Sequence, residues 1–275
     1  MNHTQTQPAI DTQARTNFAR FYDQRMFDEL TEDYYGHSGF MNFGFWTNHT
    51  ETAAEASANL VDQLIARIPH PRGSILDVAC GTGATTRHLA RAWPAERITA
   101  VNISTKQLCS AAVKVPGARF AGCDAVRLPF ADASFDDLIC VEAAFHFRTR
   151  ETFLAEAHRV LKPGGVLVLS DALISPINKD ERPHWDPANM ITDFGEYEAV
   201  CRRAGFADVD ITDATNECWH GCFWNVVRFA HGKFLKGEIS VEQLNGFLDR
   251  VYRLTTDLER YVLVALTKSG RRMLG

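Results

Sequence analysis

The sequence predicts an α/β fold in which a parallel sheet carries helices on both faces. Five apolar runs between residues 74 and 171 alternate with segments of helical spacing, which is the pattern of parallel strands joined by crossover helices. The first run, at 75–78, leads into a turn that contains Gly81 and Gly83 and then into a helical pattern. Such a turn places backbone N–H groups of a helix start beside a ligand. Taken alone, it is more typical of a plain structural turn than of a ligand site.

Each predicted element rests on apolar spacing and on residues that start or stop it. Ser104 is well placed to cap a helix, and the Lys-Pro-Gly-Gly sequence at 162–165 stops the helix that Thr149 opens. The predicted strands are 75–78, 97–102, 118–122, 135–142, 166–171, 205–211 and 259–267. The predicted helices are 14–35, 52–68, 84–92, 104–113, 149–161, 197–203, 219–234 and 240–254.

Composition limits the possible partners of the protein. The 275 residues are 45% hydrophobic and 23% charged, which suits one large folded unit, and the net charge of −5 without a long basic run argues against nucleic acid. No apolar run approaches the roughly 20 residues of a membrane span. A polar N-terminus without a signal-peptide pattern and seven scattered cysteines favour a cytoplasmic location. Cys218, His220 and Cys222 have no second matching pair, so we predict no metal site; the oligomeric state stays open.

The predicted domain organisation is one core with additions at both ends. Strand patterns flank the helical segment downstream of residue 171, which therefore is predicted to cap the core rather than to form a separate domain. The predicted segments are a disordered tail at 1–13, an N-terminal helical lid at 14–72, a ligand-binding core at 73–171, a substrate cap with one core helix and strand at 172–255, and a final core strand and tail at 256–275.

Polar or glycine residues stand at or just past the predicted carboxyl ends of five successive strands. They are Gly81, Asn102, Asp124, His146 and Asp171. Ligands of such sheets bind outside the carboxyl ends of the strands. We therefore expect these five residues to surround one site.

The motifs in this region resemble those of the class I S-adenosylmethionine-dependent methyltransferases. The resemblance is carried by ILDVACGTG at 75–83, VNIS at 101–104, CDAVRLPFADASFD at 123–136 and HRVLKPGGVLVLSD at 158–171, with FMNFGFW at 40–46 upstream. It is strongest to the small-molecule branch that includes ubiquinone and menaquinone C-methyltransferases and the sugar and macrolide O-methyltransferases of natural-product pathways. This resemblance implies a Rossmann-like, seven-stranded, mostly parallel sheet whose last strand is antiparallel.

The resemblance also implies the cofactor, S-adenosyl-L-methionine, and the residues that hold it. Asn102 departs from the acidic residue that many relatives have for the ribose hydroxyls, but an amide both accepts and donates hydrogen bonds. The expected cofactor-binding residues are Asp77, Ala79, Gly81, Gly83, Asn102, Ile103, Gln107, Asp124, Ala125 and Glu142.

Catalysis is expected to depend on His146 as the general base for an oxygen nucleophile, with Asp171 assisting, as in the related sugar O-methyltransferases. A structural histidine and a strand-end cap are the alternatives for these two residues. Aromatic residues are expected to wall a largely apolar, hydroxylated acceptor, although each on its own is more typical of a core. The expected wall residues are Tyr22, Phe43, Trp46, Phe145, Trp185, Trp219, Phe223 and Trp224.

The expected reaction is O-methylation of a small molecule of secondary metabolism. Two alternatives stay open. One is methylation of carbon or nitrogen, because the segment around His146 is similar in those relatives. The other is a cyclisation or isomerisation in which the cofactor has only a structural role.

Overall fold

The computed structural model describes residues 7–71, 73–174 and 186–270. The helices of these ranges are α1 (Gln7–Met26), α2 (Glu29–Tyr34), α3 (Ala53–Ile65), α4 (Ala84–Leu89), α5 (Thr105–Lys114), α6 (Arg150–Val160), α7 (Phe194–Arg203), α8 (Gly221–Leu235) and α9 (Val241–Asp257). The strands are β1 (Ile75–Val78), β2 (Ile98–Asn102), β3 (Arg119–Gly122), β4 (Phe135–Val141), β5 (Leu161–Ile174), β6 (Asp208–Asp213) and β7 (Leu258–Thr267).

The seven strands form one sheet in the order β3-β2-β1-β4-β5-β7-β6. Strands β1 to β5 run parallel to one another, and β7 pairs antiparallel with both β5 and β6. The order changes direction at β1, whose carboxyl end is therefore the switch point at which such sheets bind ligands. The predicted fold class, with its antiparallel last strand, is confirmed.

Helices cover both faces of this sheet because the central strands are apolar on both sides. On β4, Leu138 and Cys140 face the core under α6 and α7, while Ile139 faces the core under α3 and α4. The same alternation separates Leu167 from Val168 on β5. This period of two explains why the central strands read as continuous apolar runs in the sequence.

The N-terminal region forms two helices where the sequence predicted one over 14–35. Helix α1 ends at Met26, and the Asp28 side chain accepts a hydrogen bond from the Thr31 N–H at 3.0 Å, which starts α2 as an N-cap. Helix α1 begins at Gln7, so it extends into the stretch that was predicted as tail. Residues 1–6 lie outside the described ranges.

Helices α8 and α9 pack against each other and against the N-terminal region. Tyr34, Tyr35 and Trp46 share a buried cluster with Cys222 of α8 and Phe247 of α9. A single π-helical stretch at Thr215–His220 leads directly into α8. Of the helices in the described ranges, none combines the length and apolar character that crossing a membrane requires.

Candidate active site

A cavity of about 230 Å³ lies at the carboxyl ends of β1 to β4, beneath helix α1. The sheet side of its lining is formed by the residues that directly follow each strand. Helix α1 contributes one face, and two connecting segments close the remaining sides. The lining segments are 78–81, 101–104, 123–125 and 141–143 from the sheet, Ala19, Tyr22 and Met26 from α1, Ala84 and Thr85 from α4, Gln107 from α5, 39–42, and 146–148.

The turn after β1 has the left-handed backbone that its glycines permit. Gly81 and Gly83 have φ values of +55° and +86°, and Ala79 has +62°. A Cβ on Gly83 would lie 2.7 Å from the Cβ of Ala111 on α5, so Gly83 lets α4 pack against α5 but does not line the cavity. A Cβ on Gly81 would lie 3.3 Å from Met26 Cε. Glycine at 81 therefore leaves room between the turn and α1.

Asn102 and Gln107 form a polar wall that α1 closes. The Asn102 Nδ2 donates to Gln107 Oε1 at 2.8 Å, and the Asn102 Oδ1 accepts from the Ile103 N–H at 2.8 Å. The Asp23 carboxylate of α1 accepts hydrogen bonds from Ser104 Oγ at 2.7 Å and Gln107 Nε2 at 2.8 Å. These bonds attach α1 to the start of α5 across the cavity.

Two predicted cofactor-binding carboxylates differ in their surroundings. Asp124 lines the cavity beside Ala125, and its Oδ1 accepts from the Val126 N–H at 3.1 Å. Asp77 lies within β1, is 1% exposed and does not line the cavity. Its carboxylate accepts a hydrogen bond from Thr86 Oγ1 at 2.6 Å, and burial raises the pKa of Asp77 to about 7. Asp77 thus holds the first turn of α4 through Thr86 and does not face the cavity.

Glu142 follows β4 and holds the N-terminal segment against the sheet. Its Oε1 accepts from the Phe43 N–H at 2.7 Å and from the Tyr261 hydroxyl at 2.6 Å. Its Oε2 has no hydrogen-bond partner among the described residues, and Glu142 lines the cavity. Burial raises the pKa of Glu142 to about 7, although both hydrogen bonds oppose that rise.

His146 lies in a short helical turn, Ala144–His146, directly after β4 and borders the cavity. Its Nε2 forms a hydrogen bond with the Tyr22 hydroxyl of α1. The ring of Phe145 packs beside the imidazole, with the ring centroids 4.0 Å apart. A hydroxyl group within the cavity can therefore reach the imidazole nitrogen.

Asp171 does not reach the cavity, which corrects the expectation that it assists His146 directly. Strand β5 continues to Ile174 and pairs with β7 beyond Asp171, so this residue lies inside the sheet rather than at a strand end. Asp171 is fully buried, and its Oδ2 accepts from Arg150 Nε at 2.7 Å and from the Tyr197 hydroxyl at 2.8 Å. The buried ion pair with Arg150 holds its charge away from the cavity.

Most of the aromatic residues expected to wall an acceptor pack elsewhere. Tyr22 lines the cavity and Phe145 contacts His146, whereas the remaining described ones lie outside the lining, most of them in cores. Phe43 packs on Trp219 and Tyr261 at centroid distances of 5.2 and 5.7 Å. Trp46 is buried and donates its Nε1–H to the Phe43 carbonyl. Phe223 packs between Trp219 and Trp224, and Trp224 is 63% exposed. Trp185 lies outside the described residues.

Several residues of the cavity were missed by the sequence reasoning. Ala19 and Met26 share a helix face with Tyr22 at spacings of three and four, a signal that was present in the sequence. Phe40 and Met41 line the cavity from the segment in which the sequence predicted Phe43 and Trp46 as wall residues. In a segment without regular secondary structure, spacing does not indicate which side chains face the cavity, so the prediction for this segment was wrong.

The cysteines near residue 220 are buried packing groups. Cys218 and Cys222 are both at most 5% exposed, and burial raises the pKa of the Cys222 thiol to about 12. Within the part of the chain that the structure describes, no three His, Cys, Asp or Glu side chains are grouped so that they could hold a metal ion.

The turn with its left-handed glycine, the strand-end polar residues and the seven-stranded sheet together define a methyltransferase, and the comparisons with known proteins place the chain in that family. The model of the methyltransferase domain matches residues 76–169. The chain is 32% identical over 222 residues to the O-methyltransferase cnsE of Penicillium expansum, covering 75% of this chain and 78% of that protein. It belongs to the S-adenosylmethionine-dependent methyltransferases, as its motifs suggested.

A second relative and one solved structure extend this comparison. The 27-O-demethylrifamycin SV methyltransferase of Amycolatopsis mediterranei is 30% identical over 210 residues, which cover 70% of this chain and 76% of that protein. The crystal structure of the [4+2]-cyclase SpnF superposes with a TM-score of 0.72 at 22% identity, covering 94% of this chain and 97% of that one. At that identity the superposition shows the shared fold.

The cavity fits S-adenosylmethionine, the cofactor of the family. Asn102 and Asp124 present amide and carboxylate groups that would hold a nucleoside, and an added Cβ at Gly81 would lie 3.3 Å from Met26 Cε, so glycine keeps the turn open toward the cavity. Glu142 supplies an acidic group on the same lining, which suits a sulfonium cation. The bound cofactor supplies an activated methyl group.

Proposed function

We propose that this enzyme transfers a methyl group to a hydroxyl oxygen of a small, largely apolar natural product, with His146 as the general base. The observation that carries the proposal is the hydrogen bond between the Tyr22 hydroxyl and His146 Nε2 at the cavity. It supports the proposal because it puts a hydroxyl group within hydrogen-bonding distance of this nitrogen at the cavity. The proposal places the acceptor hydroxyl where the Tyr22 hydroxyl now lies.

The chemistry assigns the protein two tasks. It aligns the nucleophile with the methyl group, and such alignment contributes about 7–11 kcal/mol to catalysis. It also removes a proton from an alcohol or phenol, for which a neutral imidazole at the cavity is suited. Phe145 restricts the ring of His146 from one side, and the Tyr22 hydroxyl occupies its Nε2 until an acceptor replaces it.

The lining indicates the type of acceptor. Met26, Phe40, Met41 and Phe147 make the wall on the side of α1 and the 146–148 segment largely apolar. Arg148 is the one Lys or Arg side chain of the described lining, which does not favour a phosphorylated acceptor. The two relatives named above are called O-methyltransferase and 27-O-demethylrifamycin SV methyltransferase, and these names support an oxygen nucleophile.

The proposed division of the chain follows from how the cavity is closed. Residues 14–72 act as a lid, since Tyr22 and Asp23 of α1 bond to groups on the sheet side of the cavity. Residues 73–171 hold the cofactor. None of the described residues of 172–255 lines the cavity, so their proposed part in acceptor selection is indirect, through the bonds of Asn189 to the backbone beside His146. Residues 256–270 complete the sheet.

A panel of hydroxylated compounds that includes 27-O-demethylrifamycin SV and simple phenols tests the proposal. Each compound is incubated with deuteromethyl-labelled S-adenosylmethionine, and mass spectrometry measures methylated product and S-adenosylhomocysteine. We expect His146→Gln to lower turnover by about 10²–10⁴-fold. His231→Gln, on the exposed face of α8, is the matched control and leaves turnover unchanged.

Tyr22→Phe tests whether the Tyr22 hydroxyl only occupies the place of the acceptor hydroxyl or is itself needed for catalysis. If the acceptor hydroxyl replaces that of Tyr22, this variant keeps kcat/KM within about threefold, since only a competing hydroxyl is lost. Full turnover by His146→Gln would contradict the assignment of the base. Methyl label on carbon or nitrogen would contradict O-methylation, and a rearranged product without S-adenosylhomocysteine would contradict methyl transfer altogether.

A further inference from the structure

Asn189 lies 43 residues beyond His146 in the sequence and next to it in the structure. It belongs to the short helical turn Pro187–Asn189, between β5 and α7, and is 1% exposed. Its Nδ2 donates one hydrogen bond to the Phe145 carbonyl at 3.1 Å and another to the Phe147 carbonyl at 2.7 Å. One amide group therefore holds the backbone on both sides of His146.

The turn that carries His146 has little backbone bonding of its own. It spans three residues, and its backbone bonds join the His146 N–H to the Ala143 carbonyl at 3.0 Å and the Phe147 N–H to the Ala144 carbonyl at 3.1 Å. A single such turn is marginal without outside contacts. The bonds from Asn189 are thus a large part of what fixes the backbone under His146.

The side-chain carbonyl oxygen of Asn189 is hydrogen-bonded as well. Its Oδ1 accepts the backbone N–H of Arg150 at 2.7 Å, which is the first residue of α6 and lacks an intrahelical partner for that N–H. The two donors and the acceptor of the amide all bond to backbone groups of residues 145 to 150. No other side chain of similar size presents two donors and an acceptor in this arrangement.

Arg150 anchors Asn189 to the sheet. Its Nη1 donates to the Asn189 carbonyl at 2.8 Å, and its Nη2 donates to the Ala172 carbonyl at 3.1 Å. Its Nε donates to Asp171 at 2.7 Å, and both side chains are at most 1% exposed. The chain of contacts runs from Asp171 in β5 through Arg150 to Asn189 and ends at the backbone of His146.

We propose that Asn189 is a positioning residue that holds the imidazole of His146 in its reactive orientation, with Arg150 and Asp171 as its support. This inference rests on the proposed role of His146 as general base. It gives Asp171 an indirect effect on catalysis through two intervening residues. Misplacement of a catalytic group by about 1 Å costs on the order of 100-fold in rate, so the support matters even though it touches no ligand.

Two substitutions test the positioning role. Asn189→Asp preserves the size and the acceptor but removes both donors, and Asn189→Ala removes all three bonds. Asn225→Ala is the matched control, because its amide also donates to a backbone carbonyl, that of Gly221 on α8, at 2.9 Å. Circular dichroism and thermal unfolding establish that each variant is folded.

The main readout is the ¹⁵N spectrum of the His146 imidazole with S-adenosylhomocysteine bound, which requires no acceptor. Loss of its signals in His146→Gln assigns them among the ten histidines. We expect both Asn189 variants to shift or broaden these signals and to lower kcat by about 10–100-fold, with the Kd of S-adenosylhomocysteine within twofold. The kinetic measurement uses the acceptor found with the panel.

The outcomes separate this inference from the proposed function. Unchanged imidazole signals and unchanged kcat in Asn189→Asp, together with low turnover in His146→Gln, would overturn the positioning role and keep the base. Full turnover in His146→Gln would overturn the base itself. A fall in kcat with unaltered imidazole signals would assign Asn189 to some other task and also overturn the inference. If Asn189→Ala does not fold, Asn189→Asp decides alone.

Discussion

The pKa of Glu142 predicts that this enzyme binds S-adenosylmethionine more tightly as the pH rises through 7. Burial raises that pKa to about 7, so the carboxyl group is largely neutral at pH 6 and largely charged at pH 8. A sulfonium cation bound beside this carboxyl group would favour its charged form. S-adenosylhomocysteine carries a neutral sulfur in the same place, so it lacks this coupling and provides the matched ligand.

The magnitude follows from the fraction of Glu142 that is ionised. With a pKa of about 7, that fraction is about a tenth at pH 6 and about nine-tenths at pH 8. If the sulfonium binds well only to the carboxylate form, the Kd of S-adenosylmethionine falls by up to about tenfold over this range. The Kd of S-adenosylhomocysteine should change by less than about twofold through Glu142.

Isothermal titration of both ligands from pH 6 to pH 8 measures the effect in wild type, Glu142→Gln and Asp77→Asn. Glu142→Gln should abolish the difference between the two ligands in pH dependence. Asp77→Asn is needed because the pKa of Asp77 also lies at about 7, although its carboxyl group does not line the cavity. A pH dependence that persists in Glu142→Gln and vanishes in Asp77→Asn would refute the role of Glu142.

The same raised pKa has a consequence for the stability of the protein without cofactor. Between the usual pKa of a glutamate, 4.5, and the folded-state value of about 7, the unfolded chain loses this proton while the folded chain keeps it. The free energy of unfolding therefore falls as the pH rises through that window, by up to about 3 kcal/mol from this group. Urea unfolding of wild type and Glu142→Gln at pH 5 and pH 8 measures the difference.

Two further predictions concern the lid and the glycine turn. Asp23→Ala removes the hydrogen bonds that attach α1 to Ser104 and Gln107, and should raise the Kd of S-adenosylhomocysteine by about 5–20-fold in isothermal titration, whereas Gln24→Ala, exposed on the same helix, should not. Gly83→Ala places a Cβ 2.7 Å from Ala111 in a left-handed backbone, and should lower the free energy of unfolding by about 2–4 kcal/mol in urea denaturation. Gly246→Ala in α9 meets no atom within 4 Å and should be neutral or stabilising; an equal loss there would contradict the steric reason.

The sheet and most of the cofactor cavity were predictable because they depend on local patterns and chain order. Apolar runs of strand length alternate with helical spacing, and such alternation leads to parallel strands. The carboxyl ends of parallel strands meet at one edge, so Asn102, Asp124 and Glu142 come together without any further information. Gly81 follows from the same logic, since a turn close to a ligand leaves no room for a side chain.

The sequence did not reveal which aromatic residues turn toward the cavity. Trp219, Phe223 and Trp224 were expected to form a wall, but the face of a helix that is buried depends on what packs against it. Helix α8 packs with α9 and the N-terminal segment instead. Phe40 and Met41 line the cavity where Phe43 was expected, since the register of an irregular segment is set by contacts such as that of the Phe43 N–H with Glu142.

By itself, the sequence determined the fold class, the glycine turn and the strand-end residues that define a methyltransferase. Each of these depends on patterns formed by residues that are close together in the sequence. Only the tertiary structure decided how His146 is held. The contacts of Tyr22 and Asn189 with the His146 turn join residues 124 and about 40 positions apart. The sequence predicts a strand end at Asp171, where the apolar run stops, yet pairing with β7 extends β5 past it, and Arg150 compensates its buried charge. The spacing of residues in the sequence specifies neither the pairing of β5 with β7 nor the ion pair of Asp171 with Arg150, since long-range contacts depend on how the helices and strands pack.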